Sequence, residues 1–377
     1  MQRKLPSVAA LSALAMCWGN AAFAQSSVTL YGVMSVGVGY VSNEGGHSST
    51  KLISGTNQNS RWGLRGVEDL GGGSKAVFAL ESGFGIDDGK SQQGGRLFGR
   101  QAFVGLSNDS YGTVSFGRQY DSMYDYIDYM IAPVAAVGLG GHIGDNDNTF
   151  GSFRHNNSVK YVTPTWNGFQ AEASYALSEA ASTSNNRSFS LGGLYDQGPW
   201  RIALTYLQLD NPGLASGNAS GAVTDDYFGA PFVLFHTSPL SNTVGVSKQR
   251  VAGLGAGYQF EKLRINGVVT TSRYDYKDGV SLRLDNYDAN LSYKLSPALV
   301  FGAAYVYTNG QYSGGFNASP KWHMGQLSLD YFFSKRTDVY IYGMYQKASS
   351  AVADIYSFVP SSNGHQTAVV AGIRHKF

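Results

Sequence analysis

Apolar and polar residues alternate at period two through sixteen segments of this chain. In the second segment, Arg61 and Arg65 share one face, while Trp62 and Leu64 share the other. Successive side chains of a β-strand point to opposite faces, so each segment predicts a strand between an apolar and a polar environment. The predicted strands are 28–40, 59–69, 76–86, 97–106, 112–118, 158–163, 169–177, 188–195, 200–209, 250–260, 263–274, 282–295, 299–308, 322–333, 338–347 and 367–377. An even number of such strands is typical of a transmembrane antiparallel β-barrel, an all-β fold.

The connections between these strands alternate in length. Turns of two to five residues, such as 70–74 and 261–262, alternate with longer Gly-, Ser- and Asn-rich segments such as 41–58. A barrel with short turns at one end and long loops at the other produces this rhythm, whereas a soluble sandwich does not. An extra hairpin within 210–249 would raise the strand number to eighteen. We prefer sixteen, because prolines interrupt the candidate strands there.

Both ends of the chain point to export and membrane insertion. Residues 1–24 combine a basic start, an apolar stretch and an Ala-Phe-Ala cleavage site, which predicts a signal peptide. A lipoprotein signal ending at Cys17 is disfavoured, because Met16 stands where a small residue is needed. Residues 25–377 form the predicted barrel, whose last strand ends on Phe377. A strand that ends on an aromatic residue is typical of bacterial outer-membrane barrels.

Composition narrows the classes of function. Removal of Arg3 and Lys4 with the signal leaves 26 of the 28 basic residues, against 26 acidic residues. A formally neutral chain gives no reason to expect a nucleic-acid partner. Cys17 is the only cysteine, so disulfides, thiol nucleophiles and cysteine metal sites are not expected in the mature chain. We predict no cofactor and no metal. The 25 Tyr and 20 Phe suit the aromatic girdles of a barrel.

The segment 119–157 is the candidate for a loop that narrows the barrel. Sixteen strands enclose a water-filled channel, so something should constrict it. This segment begins with tyrosines interleaved with aspartates and continues with the apolar run 130–138. We expect the apolar part to pack on the wall and the polar part to face the channel; the alternative is an exposed outer loop. The candidate loop residues are Asp121, Tyr124, Asp125, Asp128, Asp145 and Asp147.

Opposite charges are predicted on the inner wall. Because a charge facing lipid costs a few kcal/mol, strand alternation assigns the charged face of each strand to the lumen. The candidate wall residues are Arg61, Arg65, Arg96, Arg100, Lys160 and Glu81. Each arginine alone could simply brace the wall through an ion pair. Taken together with the acidic loop, the group favours a transverse electric field across a constriction.

Several motifs resemble those of Gram-negative general porins of the trimeric, sixteen-stranded kind, most like those of β-proteobacteria. They are SVTLYG (27–32), SRWGLRGVEDLG (60–71), RQAFVGL (100–106), GTVSFGRQY (112–120), RHNNSVKY (154–161), SKRT (334–337) and the terminal Phe377. The resemblance implies a homotrimer, an infolded third loop, and basic residues at Arg61, Arg100 and Arg154 facing that loop. It also implies that Phe377 acts as an assembly signal, read by the insertion machinery. The family's Pro-Glu-Phe-type acidic motif is absent here, which leaves open which carboxylates line the opening. Arg118 could hold the base of the loop instead of facing the channel.

The expected function is passive diffusion of small hydrophilic solutes and ions across the outer membrane of a Gram-negative bacterium. Expected partners are two further copies of the chain, outer-membrane lipid and lipopolysaccharide. A solute-selective channel for a sugar or oligosaccharide is the alternative, with Tyr120, Tyr124, Tyr126 and Tyr129 as a stacking path. A sealed adhesin would differ from both by lacking conductance. An enzyme is not expected, because the histidines are scattered and no Gly-x-Ser-x-Gly elbow occurs.

Overall fold

The fold is a closed antiparallel sheet in a computed structural model that describes residues 27–213, 220–224, 227 and 233–377. The predicted signal peptide, residues 1–24, lies outside the described residues. The strands are β1 (Ser27–Glu44), β2 (His47–Ser54), β3 (Arg61–Gly71), β4 (Ser74–Gly83), β5 (Gln101–Asn108), β6 (Gly112–Gln119), β7 (His155–Val162), β8 (Phe169–Ala176), β9 (Arg187–Gln197), β10 (Trp200–Asp210), β11 (Thr237–Ser238), β12 (Ser241–Gln259), β13 (Leu263–Tyr276), β14 (Ser281–Lys294), β15 (Leu299–Ser313), β16 (Lys321–Phe332), β17 (Thr337–Ser349) and β18 (His365–Lys376).

Sixteen of these strands form the wall, and β2 and β11 are additions at its edge. All sixteen predicted segments are strands of the wall, which confirms the predicted fold class. The first strand closes the barrel: Ser27–Val33 pairs with β3, while Val33–Val41 pairs with β18. Beyond the part of β1 that pairs with β3, residues Val36–Glu44 of β1 pair with β2 on the same side. In the described part of 210–249, β11 pairs with β12 for two residues, so it extends the rim and adds no wall strand.

The two faces of the wall differ as the alternation predicts. Large apolar side chains are exposed on the outer face, among them Val104, Leu106, Phe116, Leu191, Leu204, Leu254, Val269, Leu327, Ile341 and Val369. The inner face carries buried polar side chains, among them Ser115, Ser190, Thr205, Asn266, Thr270, Ser272, Asn286, Asn290, Gln326 and Ser328. This arrangement exposes apolar side chains to lipid and polar side chains to the lumen.

The connections divide between two ends of the barrel. One end holds the short turns, such as Gly72–Gly73, together with both ends of the described chain. The other end holds the longer connections, of which 120–154 between β6 and β7 is the one predicted to fold inward. Within it lie short helical turns at Met123–Ile127, Asp128–Met130 and Ile143–Asp145, and helix α1 at Ala132–Ala135. No helix in the described part of the chain is long and apolar enough to cross a membrane.

Candidate functional site: a loop against a charged wall

The loop formed by residues 120–154 packs against the inner wall through its apolar side chains. Met123, Ile127 and Met130 are fully buried in one cluster with wall residues. Two glycines of β12 make this approach possible. A Cβ at Gly253 would lie 2.7 Å from Ile127 Cδ1, and one at Gly255 would lie 2.5 Å from Met130 Cε. A side chain at either wall position would displace the ends of the Ile127 and Met130 side chains.

Hydrogen bonds fix the second half of the loop to the same wall. The Asn146 carbonyl accepts hydrogen bonds from Gln249 Nε2 (2.9 Å), Ser272 Oγ (3.0 Å) and Tyr274 Oη (2.7 Å). The Asn146 side chain exchanges two hydrogen bonds with Asn286, at 3.0 and 3.2 Å. All of these groups are buried, so the bonds satisfy donors and acceptors that water cannot reach. The loop is therefore bound to β12, β13 and β14.

Three of the predicted loop carboxylates hold the loop together. Asp121 accepts from Asn148 Nδ2 at 2.6 Å and contacts His155 Nε2 at 2.9 Å. Asp145 accepts from the backbone amides of Phe150 and Ser152, both at 2.9 Å. The buried position of Asp145, with Asp147 nearby, raises its pKa to about 7.

Asp147 is fully buried and lies 2.6 Å from Nδ1 of His142. It also accepts hydrogen bonds from Thr149 (3.0 Å), Thr270 and Asn286 (3.3 Å). The pKa of His142 is raised to about 9 by Asp147, against the opposing effect of burial. Asp147 thus ties the loop to β13 and β14 and does not stand at an open surface.

Asp125 pairs with a cation of the wall. Its carboxylate forms a hydrogen-bonded ion pair with Lys160 of β7, and Glu172 of β8 lies 3.6 Å from the same ammonium. Asp125 keeps more exposure than either wall residue. Sequence reasoning placed Lys160 in the lumen but missed Glu172, which strand alternation on β8 could have revealed.

A cluster of arginines lies on the wall away from the anchored side of the loop. Glu81 of β4 joins Arg61 of β3 (3.4 Å) and Arg100 (2.7 Å), and it accepts a hydrogen bond from Tyr31 at 3.0 Å. Arg154, at the end of the loop, donates to the Tyr120 hydroxyl at 2.8 Å. These contacts hold the guanidinium groups in fixed positions.

A polar cavity of about 130 Å³ lies between Arg61 and Arg100 of this cluster and the loop, and Arg154 does not line it. The wall contributes Arg61, Arg100 and Arg374, and the loop contributes Tyr124 and Asp128. Burial and the nearby Asp145 raise the pKa of Asp128 to about 8, although Arg61 and Arg100 oppose this shift. Among the predicted loop carboxylates, Asp128 is the one that lines this cavity.

Arg374 of β18 was not among the predicted wall residues. It pairs with Asp338 at 3.0 Å and donates to Asn57 Oδ1 at 3.0 Å. Strand alternation puts Arg374 on the face opposite Phe377, so the pattern that identified Arg61 could have identified it too.

Three other arginines have different surroundings. Arg65 lies with its guanidinium 5.4 Å from the Tyr31 ring and does not line the cavity. Arg96 lies in the segment before β5, because this strand begins at Gln101 and not at the predicted Leu97. The Arg96 guanidinium donates a hydrogen bond to Thr224 Oγ1 at 2.9 Å. Arg118 donates to the Gly99 carbonyl at 2.8 Å, beside the base of the loop.

The four loop tyrosines do not form one continuous face. Tyr120 and Tyr124 stack on each other with centroids 3.9 Å apart, and Tyr120 is buried. Tyr126 is buried against the wall, whereas Tyr129 is 54% exposed and lies 5.0 Å below the Arg201 guanidinium. Tyr124 and Tyr129 are the two of these rings that line the cavity.

The terminal residue closes the barrel. The backbone of Phe377 exchanges hydrogen bonds with Gly32 of β1, at 3.0 and 3.1 Å. A Cβ at Gly32 would lie 2.2 Å from Cζ of the Phe377 ring, so the ring packs directly over this glycine.

An apolar outer face, a polar lumen and an inner loop define a membrane-spanning channel protein. The chain belongs to the Gram-negative porin family, whose model matches residues 8–351. It is 33% identical to an outer membrane porin protein of Bordetella pertussis, over 97% of this chain and 98% of the relative. It is 29% identical to outer membrane porin protein 32 of Delftia acidovorans, over the full length of both. Porins are channels, and their location is the outer membrane.

A solved structure with the same architecture is the anion-selective porin from Comamonas acidovorans. It superimposes with a TM-score of 0.76 at 26% identity, covering 94% of this chain and all of that one.

Proposed function

We propose that this porin is a general diffusion channel for small hydrophilic solutes and ions, with a weak preference for anions. The observation that carries the proposal is the polar cavity between Asp128 on the loop and Arg61, Arg100 and Arg374 on the wall. A loop bonded to one wall and facing arginines across a gap would leave a narrowed aqueous path between them.

Local charge favours anions at this narrowing. Three guanidinium groups line the cavity, while Glu81 and Asp338 stand behind them in ion pairs. Asp128, the facing carboxyl, is largely neutral at pH 7, because its pKa is about 8. Charges farther away count less, since fields beyond ~8 Å are screened at physiological salt. The anion selectivity named for the Comamonas porin agrees with this balance.

Planar-bilayer recording tests the proposal directly. In a KCl gradient, the purified protein should conduct, and its reversal potential should have the sign of anion preference. Liposome swelling should fall smoothly with the size of uncharged sugars. Swelling that depends on sugar identity at equal size would favour the solute-selective channel instead. Absence of any conductance would exclude both.

We further propose a homotrimer in which part of the apolar outer face is buried between copies. Native electrophoresis in mild detergent should give a trimer that dissociates on heating. A monomer by light scattering would contradict this.

We also propose that Phe377 governs assembly. Deleting Phe377 removes the contact over Gly32 and should lower the outer-membrane level of the protein far more than it alters the conductance of inserted channels. Phe333→Ala, which removes an exposed ring at the same end of the barrel, serves as the control. Normal levels of the deletion variant would contradict an assembly role.

A further inference from the structure

The lumen-facing surface of the loop at residues 120–154 carries exposed apolar side chains. Tyr129 is 54% exposed and Val134 is 38% exposed. Both line the cavity between the loop and the wall arginines, together with Tyr124 and Phe150 of the same loop. Single apolar residues are common on protein surfaces, but a group of them around one cavity indicates a binding surface.

The loop presents little negative charge to this cavity. Asp121, Asp145 and Asp147 form hydrogen bonds within the loop and to the wall. Asp128 lines the cavity but is only 8% exposed. Four of the five loop residues that line the cavity are aromatic or aliphatic. A solute that passes between the loop and the wall therefore meets a mostly apolar surface on the loop side.

Neighbouring aromatic side chains hold two of these rings in place. Tyr124 stacks on Tyr120 with ring centroids 3.9 Å apart. Phe150 packs edge-to-face against Tyr356, with centroids 4.7 Å apart. Because the rings are already fixed, a solute does not have to order them, which lowers the cost of binding.

The wall on the other side of the cavity supplies hydrogen-bond donors for an anion. Arg100 is 2% exposed, and its Nη1 has no hydrogen-bond partner within the described residues. The side chains of Arg61 and Arg374 are more open, at 17% and 11%. Ion pairs with Glu81 and Asp338 orient these two side chains without covering them completely. A buried donor without a partner is costly, so an anionic oxygen beside Arg100 would be stabilised.

The size of the cavity suits a solute with one aromatic ring. Its volume is about 130 Å³. In a fully enclosed site, a volume of about 150 Å³ is enough for benzene. The exposure of Tyr129 and Val134 shows that this cavity opens into the lumen, so a solute does not have to fit wholly inside it. An anion with a single ring can therefore set its ring against the loop and its charged group against the wall.

We propose that this cavity is a selectivity site for carboxylates that carry an aromatic ring. The ring contacts Tyr129 and Val134, and the carboxylate accepts hydrogen bonds from Arg61 and Arg100. This inference rests on the proposed function, because such a solute reaches the cavity only if it diffuses between the loop and the wall. Chloride and small polar carboxylates would use the arginines alone and would leave the apolar side of the cavity in contact with water.

The test compares benzoate with lactate in planar bilayers that contain the purified mature protein. Bi-ionic reversal potentials against chloride, at neutral pH, give the permeability of each anion. Lactate is the smaller and more polar of the two, so free diffusion through a water-filled pore favours it. Tyr129→Ser and Val134→Thr remove apolar surface from the cavity without changing its charge. Tyr111→Ser and Val359→Thr are the matched controls, because both residues are exposed and neither lines the cavity.

In the wild type, benzoate should be more permeant than lactate despite its larger size. Tyr129→Ser should lower the benzoate-to-lactate permeability ratio on the order of threefold, which is the effect expected from the loss of one contact between rings. Val134→Thr should lower the ratio less, and the two controls should retain the wild-type ratio. Arg61→Ala should lower the permeability of both carboxylates and leave their ratio close to that of the wild type.

A wild-type channel that passed lactate more readily than benzoate would overturn the proposal, and this comparison needs no variant. An unchanged ratio in Tyr129→Ser would overturn it as well. The proposed function fails in a different way, through the absence of conductance or a cation preference in KCl. Each variant is therefore recorded first in KCl, where wild-type conductance shows that it is folded and a wild-type reversal potential shows that the arginines keep their effect.

Discussion

The two sides of the lumen use different chemistry. On the anchoring wall, formed by β12–β14 and β16, the loop meets mostly neutral amides and hydroxyls, such as Gln249, Asn286 and Gln326. On the arginine wall, formed by β3, β18 and the residue before β5, the cavity meets Arg61, Arg374 and Arg100. Hydrogen bonds between uncharged groups can hold the loop in place without neutralising a charge of the lumen. The position of the loop and the ion selectivity of the channel are therefore separable properties.

The largest effect should follow from a change on the anchoring wall. Asn286→Ala removes the amide that contacts Asn146, Asp147 and Thr270. Each buried partner left unsatisfied costs about 1–3 kcal/mol, so the loop should detach part of the time. Single-channel records should show a wider spread of conductance levels and frequent closures, with little change in reversal potential.

Asn309→Ala is the control for that change, because it removes the same amide from the outer face. If Asn286→Ala gave the steady conductance of the wild type, the apolar contacts at Gly253 and Gly255 would be sufficient to hold the loop.

A change on the arginine wall should shift the reversal potential and leave the conductance levels steady. Arg61→Ala or Arg100→Ala removes one charge from the cavity while the loop stays bonded to the other wall. A unit charge 4–8 Å from an ion in water contributes about 0.5–1 kcal/mol, which corresponds to roughly a two- to fivefold fall in anion permeability and a similar rise in cation permeability. Reversal potentials in a KCl gradient measure this directly.

Arg65→Ala sharpens the comparison, because Arg65 shares a strand face with Arg61 but does not line the cavity. It should shift the reversal potential less than Arg61→Ala does. Equal shifts for the two variants would mean that charge acts along the whole lumen and that the cavity is not the selective point.

The wall could be predicted from the sequence far better than the loop. Strand alternation with period two fixes which side of a strand a residue occupies, so all sixteen wall strands were predicted. The same rule applied to β18 would have found Arg374. The strand β2 was missed, because Leu52 and Ile53 are adjacent and break the alternation within 47–54.

The loop has no period from which to infer direction. Asp121 and Asp147 face inward to partners that come from distant parts of the sequence, such as His155 and Thr270. Only the folded arrangement shows that Asp128 lines the cavity while these two carboxylates hold the loop.

The smallest predicted effect concerns pH and the loop side of the cavity. The pKa of Asp128 is about 8, because burial and the nearby Asp145 disfavour its charged form more than the arginines favour it. A carboxyl with a raised pKa is neutral below that value and ionised above it. The anion preference should therefore be full below about pH 7 and should decline as the pH rises through 8 toward 9. One partly screened charge is involved, so the decline should be smaller than the effect of Arg100→Ala.

Asp128→Asn should hold the reversal potential constant across this range, whereas Asp125→Asn should raise the anion preference and retain the pH dependence. A pH dependence that survived in Asp128→Asn would assign the titration to another group of the loop, such as Asp145, whose pKa is raised to about 7, or His142, whose pKa is raised to about 9.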